Sequence, residues 1–487
     1  MDAAIRRRGA YVCRSCTRSL QRQLRRTYSS AAQPDIYDVV CVGGGPAGLS
    51  LLTALRASPA TAHLRVALVE AQDLAKIRSW KLPPDRFSNR CSSLTPSSAL
   101  FLDQIGAWKH LERDRVQAYQ EMQVWDGVTG ARIEFDWAGS APAAGTTIAY
   151  MNENLNLTSG LLKRLEELGG VSVFDKAKVE SIAYGEETEE LDLREWPVVH
   201  LSGGKQLSAR LLVGADGANS PVRSFAGIEA RGWDYNRHGV VATLQIEGEG
   251  WGADHSKIAY QRFLPTGPVA MLPLPGNYST LVWSTTPSNA SLLKSLSAKD
   301  FIAMVNAAFR LTPTDLEYMH TQESGQAEEY SWRLEHTPFD YRAVPQTAMG
   351  VQEGTVASFP LKLRHADTYI AERVALIGDA AHTIHPLAGQ GLNQGQGDVQ
   401  SLAKTIEYAV SHGQDIGVTM SLEPYLSERY AANHLLLGVC DKLHKLYSVG
   451  SGPLVPLRSV GLSAVNALGP LKAFFMNQAA GNGIKVF

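Results

Sequence analysis

Ile36-Tyr37-Asp38-Val39-Val40-Cys41-Val42-Gly43-Gly44-Gly45-Pro46-Ala47-Gly48 decides the fold. Its first seven residues form a short apolar run rich in β-branched side chains, the composition of a buried strand, and the run stops at a glycine cluster. From Gly45 the pattern turns helical, with Leu49, Leu52 and Leu55 on one stripe, and a second apolar run, Val66-Ala67-Leu68-Val69, closes on Glu70. The stretch reads as a βαβ unit. Gly43 permits the tight turn, Gly45 lets the backbone approach a pyrophosphate, and Gly48 lets helix and strand pack closely. The bare N–H groups and positive dipole end of the helix would hold the phosphates. Glu70 stands about 20 residues beyond the last glycine, where an acid accepts hydrogen bonds from an adenosine ribose and favours a free 2′-hydroxyl. The turn by itself does not separate FAD from NAD.

At 487 residues the chain has room for two or three domains, and its net charge of −2 gives no reason to expect nucleic acid. No uncharged apolar run is long enough for a transmembrane helix. Five scattered cysteines make no disulfide framework, and Cys13-x-x-Cys16, with no second ligand pair, makes no metal site. Residues 1–33 differ in kind: Arg6, Arg7, Arg8, Arg14, Arg18, Arg22, Arg25 and Arg26 stand against one acid, Asp2. Such a leader reads as a mitochondrial transit peptide cut after Tyr28, or else as a basic tail that binds something anionic.

Three segments of a dinucleotide-binding domain are expected, at 34–118, 151–230 and 356–430. A hairpin within 119–150 and an antiparallel sheet within 231–355 interrupt them, and 431–487 is a C-terminal helical region. Residues 321–345, rich in Glu and Gln, read as a surface insertion. In the first segment Arg90, on the loop beyond the second strand, is either a surface charge or a ligand of a cofactor phosphate or ring carbonyl. In the second, a buried strand ends at Asp216-Gly217, with Ser220 and Arg223 on the turn behind it. That acid and arginine either pair to fix the turn or help close a pocket over the pyrophosphate.

The third segment is the most specific. Arg373 to Ile377 is a buried strand ending at Gly378-Asp379, and Thr383-Ile384-His385-Pro386-Leu387-Ala388-Gly389-Gln390-Gly391-Leu392-Asn393 leads into a helix carrying Asp398. An acid at a strand end can bond the hydroxyls of a ribityl chain. Gly389 and Gly391 leave backbone N–H groups bare at a helix start, where partial positive charge stabilises a reduced flavin. This selects FAD.

The three motifs in this order resemble those of the FAD-dependent aromatic hydroxylases with the para-hydroxybenzoate hydroxylase fold. Ser88-Asn89-Arg90, the His385 to Asn393 run and Arg262-Phe263-Leu264-Pro265-x-Gly267-Pro268-x-Ala270 are similar to the ubiquinone-biosynthesis hydroxylases within that family. The resemblance spans roughly residues 36–480. It implies an α/β fold: a Rossmann-like FAD-binding domain, an inserted antiparallel-sheet substrate domain and C-terminal helices. It also implies that Gly43, Gly45, Gly48 and Glu70 hold the ADP half of FAD, and that Arg90 and Asp379 hold the phosphate-to-ribityl region. Gly389, Gln390, Gly391, Leu392 and Asn393 would then line the flavin, while Asp216 and Arg223 belong to the fingerprint shared for FAD and NAD(P)H.

The activity so implied is hydroxylation at C5 of the ring of a polyprenyl-4-hydroxybenzoate, with O₂ activated as a flavin C4a-hydroperoxide. The flavin-ring loop with Pro386, Gly389, Gln390 and Gly391 is the catalytic locus, and no acid–base triad is expected; His382 and His385 read as structural. Electrons would come from a ferredoxin and its reductase or from NAD(P)H. The mitochondrial setting implies other ubiquinone-biosynthesis enzymes as partners and a peripheral position on the matrix face of the inner membrane. The alternatives are a flavin-containing structural subunit of that biosynthetic complex, a hydroxylase of another aromatic, and a flavin reductase of prenyl chains. The tail from His434, leucine-rich and basic, either packs on the core or lies on an anionic membrane.

Overall fold

The computed structural model describes residues 34–136, 147–187, 191–248, 257–340, 343–384 and 390–467. The leader, the end of the tail, and His385, Pro386 and Gly389 lie outside the described residues. Along the chain, β1 (Asp35–Val42), α1 (Pro46–Ala57) and β2 (Val66–Val69) are followed by β3 (Cys91–Leu94) and α2 (Pro96–Gln104). Next come the hairpin β4 (Glu121–Asp126) and β5 (Arg132–Asp136), β6 (Ala149–Glu153), α3 (Asn154–Leu168), β7 (Val171–Phe174) and β8 (Gln206–Gly214). Four long strands succeed them: β9 (Ala230–Ile246), β10 (Ile258–Leu264), β11 (Gly267–Pro273) and β12 (Tyr278–Thr285). The chain continues through α4 (Ala298–Arg310), β13 (Ala357–Ala366), β14 (Val374–Leu376), β15 (His382–Thr383), α5 (Gln390–Ser411), α6 (Thr419–Tyr447) and α7 (Leu454–Ala467).

One sheet is parallel through β14-β8-β1-β2-β7. Val39, Val40 and Cys41 in its central strand have no exposed surface. Both faces of that strand are covered, so its sequence is a continuous apolar run rather than an alternating one. Helix α1 is buried from Gly48 through Leu55, beyond the single leucine stripe its sequence predicts, because α3 and α5 pack on it in addition to the sheet. Strand β14 enters this sheet from far along the chain, which brings Gly378-Asp379 to the same sheet edge as the first glycine turn.

The second sheet runs β15-β13-β9-β12-β11-β10-β4-β5 and is antiparallel except where β10 lies parallel to β4. Its two faces differ. Val240, Ala242 and Leu244 of β9 join Trp283, Met271 and the buried stripe of α4, including Phe301, Met304 and Val305, in one apolar core. By strand alternation Gly239, Val241 and Thr243 take the other face. There Thr243 N donates to Thr355 Oγ1, and the Thr243 hydroxyl reaches Phe87 O at 3.5 Å, on the loop leaving the dinucleotide half. Through the Thr243 hydroxyl that face meets the loop that leaves the dinucleotide half.

Helix α6 ties the halves together. Tyr425 donates to Leu376 O at the end of β14, while Tyr447 stacks on Phe263 of β10 with ring centroids 4.1 Å apart. Arg458 of α7 then meets Asp126 at the end of β4 in a buried two-bond pair, Nε to Oδ2 at 2.8 Å and Nη2 to Oδ1 at 3.0 Å. The tail is therefore partly core. Leu437, Cys440 and Tyr447 are buried, whereas Leu435, Val439 and Leu443, spaced by four, and Leu454, Leu457 and Val460 are exposed.

Candidate active site

The first glycine turn is shaped from both sides. Gly43 has φ +113°, and a Cβ there would lie 2.2 Å from Ala215 O; a Cβ at Gly48 would lie 2.0 Å from Gly43 O. Neither position admits a side chain. Gly45 differs, having no neighbouring heavy atom within 4 Å of its would-be Cβ. It is also the N-cap of α1, makes no side-chain cap, and leaves the helix N-terminus open toward that space. A bare N-terminus before an empty approach is the geometry an anion requires. Glu70 closes the turn: its Oε2 accepts from Gly44 N at 2.6 Å and its Oε1 from Gln72 N at 2.7 Å.

The loop bearing Arg90 is pinned at successive residues. Arg115 Nη2 donates to Arg86 O, Phe87 N to Gln352 Oε1, Ser88 N to Glu153 Oε1 and Asn89 Nδ2 to Thr355 O. Glu153 has no exposed surface and is itself paired with Arg115 Nε at 2.6 Å. On this fixed backbone the Arg90 side chain is exposed and, among the described residues, makes no hydrogen bond or ion pair. A guanidinium held on a rigid loop with its donors free suits a phosphate.

The second and third motifs meet, though not by the ion pair that their sequence allows. Arg223 turns away from Asp216 and donates to Ala380 O and Ala218 O at 2.8 and 2.7 Å, lacing the Gly378–Ala380 turn to the Asp216–Ser220 turn. Backbone carbonyls are stationary acceptors, and two of them use the guanidinium fork fully. Asp216 instead accepts from Val222 N, its Oδ1 is buried with no partner, and burial pushes its carboxyl pKa up. Ser220 caps the short helix behind it, accepting from Arg223 N at 2.9 Å. Arg223→Ala should remove two charge-assisted bonds and cost about 2 kcal/mol of stability, readable as a lowered melting temperature.

Asp379 sits in the turn after β14 with its side chain open to solvent and no hydrogen-bond partner among the described residues. The protein packed around it raises its carboxyl pKa, with His382 acting in the opposite sense. Gln390 and Gly391 open α5, and Leu392 packs against the core of the parallel sheet. The Asn393 side chain is committed to protein: its Oδ1 accepts from Thr95 N and Ser98 Oγ, and its Nδ2 donates to Ser93 O. It latches α5 to the β3–α2 junction, so any hold it has on the flavin is through backbone placement.

Sequence reading missed the residue that organises this corner, Asp398. Its Oδ2 accepts from Gly378 N at 3.1 Å and meets His382 Nε2 at 2.6 Å; its Oδ1 accepts from Arg429 Nε and Asn433 Nδ2. Burial pushes the carboxyl pKa up, but His382, Arg429 and Asn433 outweigh it and hold the group below its ordinary value. His382 is thus occupied in a buried pair, consistent with a structural role. The signal was an acid inside the buried stripe of Gln394, Leu402 and Ile406, which demands partners.

On its Gly239–Val241 face the second sheet offers small and apolar rows. Val241 lies opposite Val282, which lies opposite Ala270, and Gly239 lies opposite Ser284. Among the described residues no group of side chains could hold a metal.

Residues 36–435 match the family model described as FAD binding domain. The ubiquinone biosynthesis monooxygenase COQ6, mitochondrial, of Schizosaccharomyces pombe is 41% identical over 460 residues, covering 92% of each chain. The human protein of the same name is 37% identical, over 93% of this chain and 94% of its own. The chain belongs to the COQ6 family of FAD-dependent monooxygenases. The solved p-nitrophenol 4-monooxygenase PnpA of Pseudomonas putida shares the fold, with a TM-score of 0.65 at 20% identity over 93% of this chain and 100% of its own. PqsL of Pseudomonas aeruginosa, a probable FAD-dependent monooxygenase, does so with a TM-score of 0.62 at 19% identity over 88% and 99%.

This COQ6-family chain is therefore an FAD-dependent aromatic-ring monooxygenase with the α/β fold and inserted sheet that its motifs imply, and it is mitochondrial. The site fits the cofactor. The open N-terminus of α1 at Gly45, the unpartnered Arg90 and Asp379, and the orphaned Asp216 Oδ1 are complements to phosphates and hydroxyls.

Proposed function

We propose that this chain hydroxylates the aromatic ring, at C5, of a polyprenyl-4-hydroxybenzoate in ubiquinone biosynthesis, within the cleft between the parallel sheet and the Gly239–Val241 face. The observation that carries the reading is the open N-terminus of α1 at Gly45, with no heavy atom within 4 Å of its would-be Cβ, and the small, apolar Gly239–Val241 row of the second sheet supports it. Bound FAD supplies the oxygen chemistry. The protein's share is to bind and to exclude water. Gly43, Gly45, Gly48 and Glu70 would hold the ADP half, Arg90 the pyrophosphate and Asp379 the ribityl hydroxyls, with Asp216 nearby and Arg223 lacing the two turns. The start of α5, at Gln390 and Gly391, would direct N–H groups and a positive helix end at the flavin ring, assisted by Pro386 and Gly389 of the preceding loop. Val241, Val282 and Ala270 would keep the substrate ring dry, which protects the activated oxygen from wasteful loss as H₂O₂.

A second reading, a flavin-bearing structural subunit of the biosynthetic complex, makes a different prediction in rapid mixing. As a hydroxylase, the reduced holoprotein should reoxidise at a rate that depends on substrate, with one product per flavin; a rate indifferent to substrate would favour the structural role. Electrons reach the flavin from a ferredoxin and its reductase or from NAD(P)H in this proposal, and no second glycine-rich nucleotide motif is present to favour the latter.

The exposed stripes on α6 and α7 support a peripheral seat on the matrix face of the inner membrane, where a polyprenyl substrate resides. Leu454, Leu457 and Val460 are 46%, 67% and 67% exposed, and Lys442 of α6 is exposed as well. Among the described residues no helix is long and apolar enough to cross a membrane. Burying side chains of this size gains roughly 1.5–3 kcal/mol each. Replacing Leu457 and Val460 together with asparagine should weaken binding to anionic liposomes at least ~10-fold while leaving FAD content unchanged. Undiminished binding would remove this part of the proposal.

A further inference from the structure

The face of the second sheet turned away from its helices is packed at two ends and open between them. On β10, Tyr260 and Leu264 belong to the helix-covered core, so Ala259, Gln261 and Phe263 take the other face. There Phe263 and Val124 share an apolar cluster with Leu437, Cys440 and Tyr447 of α6, and Ala259 shares another with Phe87, Tyr119 and Met151. The row between, formed by Gln261, Ala270, Val282 and Val241 on successive strands, adds no residue to either cluster. Ala270 and Val282 are only half-buried, although β11 and β12 are interior strands of the sheet. A side chain in the middle of a sheet shows surface only where nothing packs on it, so open space lies before this row.

Gln261 is the polar member of that row, and it differs from the other buried amides. Asn156, Asn306 and Asn433 spend theirs on protein, donating to Asn152 Oδ1, Ala348 O and Asp398 Oδ1. Gln394 and Gln396 have unpartnered amides, but these are sealed away from any open space. Gln261 is 6% exposed, and among the described residues its carboxamide makes no hydrogen bond, yet its polar atoms are not sealed. Its cross-strand neighbours, Val124 and Ala270, have no polar side-chain atom to offer. A buried amide with donor and acceptor unspent, on an apolar floor, is incomplete without a polar ligand group. The row carries no charge to offset an anion, whereas a neutral hydroxyl needs none and can use either end of the amide.

We propose that Gln261 determines specificity for a phenol, its Oε1 accepting a hydrogen bond from the ring hydroxyl of the substrate. The proposal deepens, and rests on, the reading of this face as a wall of the hydroxylase site. A ring so held lies against Ala270 and Val282.

The test uses the full chain loaded with FAD, titrated by the change in flavin absorbance with a 4-hydroxybenzoate carrying a short prenyl tail and with the same ring bearing methyl in place of the hydroxyl. The wild type should prefer the phenol at least ~10-fold, because the methyl compound leaves the amide unpaired. Gln261→Met, close in size, should weaken the phenol about 10-fold and the methyl compound less than about threefold, so that the preference disappears. FAD content should be unchanged and the melting temperature not lowered, since the amide has no protein partner to lose. Gln261→Glu keeps an acceptor and should retain the preference, while weakening both compounds through their shared carboxylate. A preference that survives in Gln261→Met, equal losses for the two compounds, or a lowered melting temperature would overturn the assignment. A wild type that binds both compounds equally and still hydroxylates the phenol overturns it too, while leaving the hydroxylase reading intact. A wild type that binds neither overturns both.

Discussion

Asp398→Ala is expected to be the most damaging single substitution in the cofactor half. The carboxylate has no exposed surface and joins four donors from three separate segments: Gly378 N, His382 Nε2, Arg429 Nε and Asn433 Nδ2. Removing one partner of a buried ion pair strands the others, at a cost of about 3–5 kcal/mol. That is a large part of the total stability of a typical domain. The expected result is a melting temperature lowered by several degrees and purified protein nearly empty of FAD, because the Gly378–Ala380 turn and the start of α5 lose their common anchor. Asp398→Asn keeps the shape and should fall between. The pH dependence follows from the same contacts. The Asp398 pKa is depressed in the folded state, so its contribution is fully present above the ordinary aspartate value of 3.8 and is lost as pH falls through about 2. Acid unfolding of the wild type should therefore be shifted to lower pH relative to Asp398→Asn. Coincident acid transitions would mean that the carboxylate is not the hub.

Gly43→Ala and Gly45→Ala should fail in different ways. At Gly43 both the left-handed φ of +113° and the 2.2 Å approach to Ala215 O exclude a Cβ, so β1 and β8 must separate. Overpacking and strain together cost a few kcal/mol, and the protein should be unstable with or without FAD. At Gly45 the backbone is extended, with φ −75°, and no protein atom lies within 4 Å of the added methyl. The apoprotein should melt within about 1 °C of wild type, whereas FAD affinity should drop at least ~100-fold as the methyl occupies the pyrophosphate's approach. Calorimetry of the apo forms and FAD titration read the two effects separately. A Gly45→Ala protein that binds FAD normally would show that the phosphates do not approach there.

These contrasts mark what the amino-acid sequence could convey. The glycine turn, the Asp379 strand end and the two sheets were legible because each is written locally, as an apolar run meeting a turn signal. Arg90 was legible as a candidate for the same reason, standing on a loop that leaves a dinucleotide fold. Partnerships across hundreds of residues were not. Asp216 and Arg223 are seven residues apart and of opposite charge, yet Arg223 spends its donors on Ala380 and Ala218. Asn393 sits in the most specific motif, yet its amide serves Thr95 and Ser93, about 300 positions away. Asp398 and Arg458 look like ordinary charges on amphipathic helices, and only the packing of α6 and α7 makes each one half of a buried pair. Of the two readings of the tail, core packing holds for Leu437, Cys440 and Tyr447, while the membrane seat is the proposal made for the exposed face of the same helix.

Ring oxygenation by the flavin can be read by isotope. Residues 29–487, loaded with FAD and chemically reduced, are mixed under ¹⁸O₂ with a prenylated 4-hydroxybenzoate, and the product is weighed by mass spectrometry. One ¹⁸O atom should enter the ring at C5 for each flavin oxidised. An unmodified ring with an equivalent of H₂O₂ would contradict it.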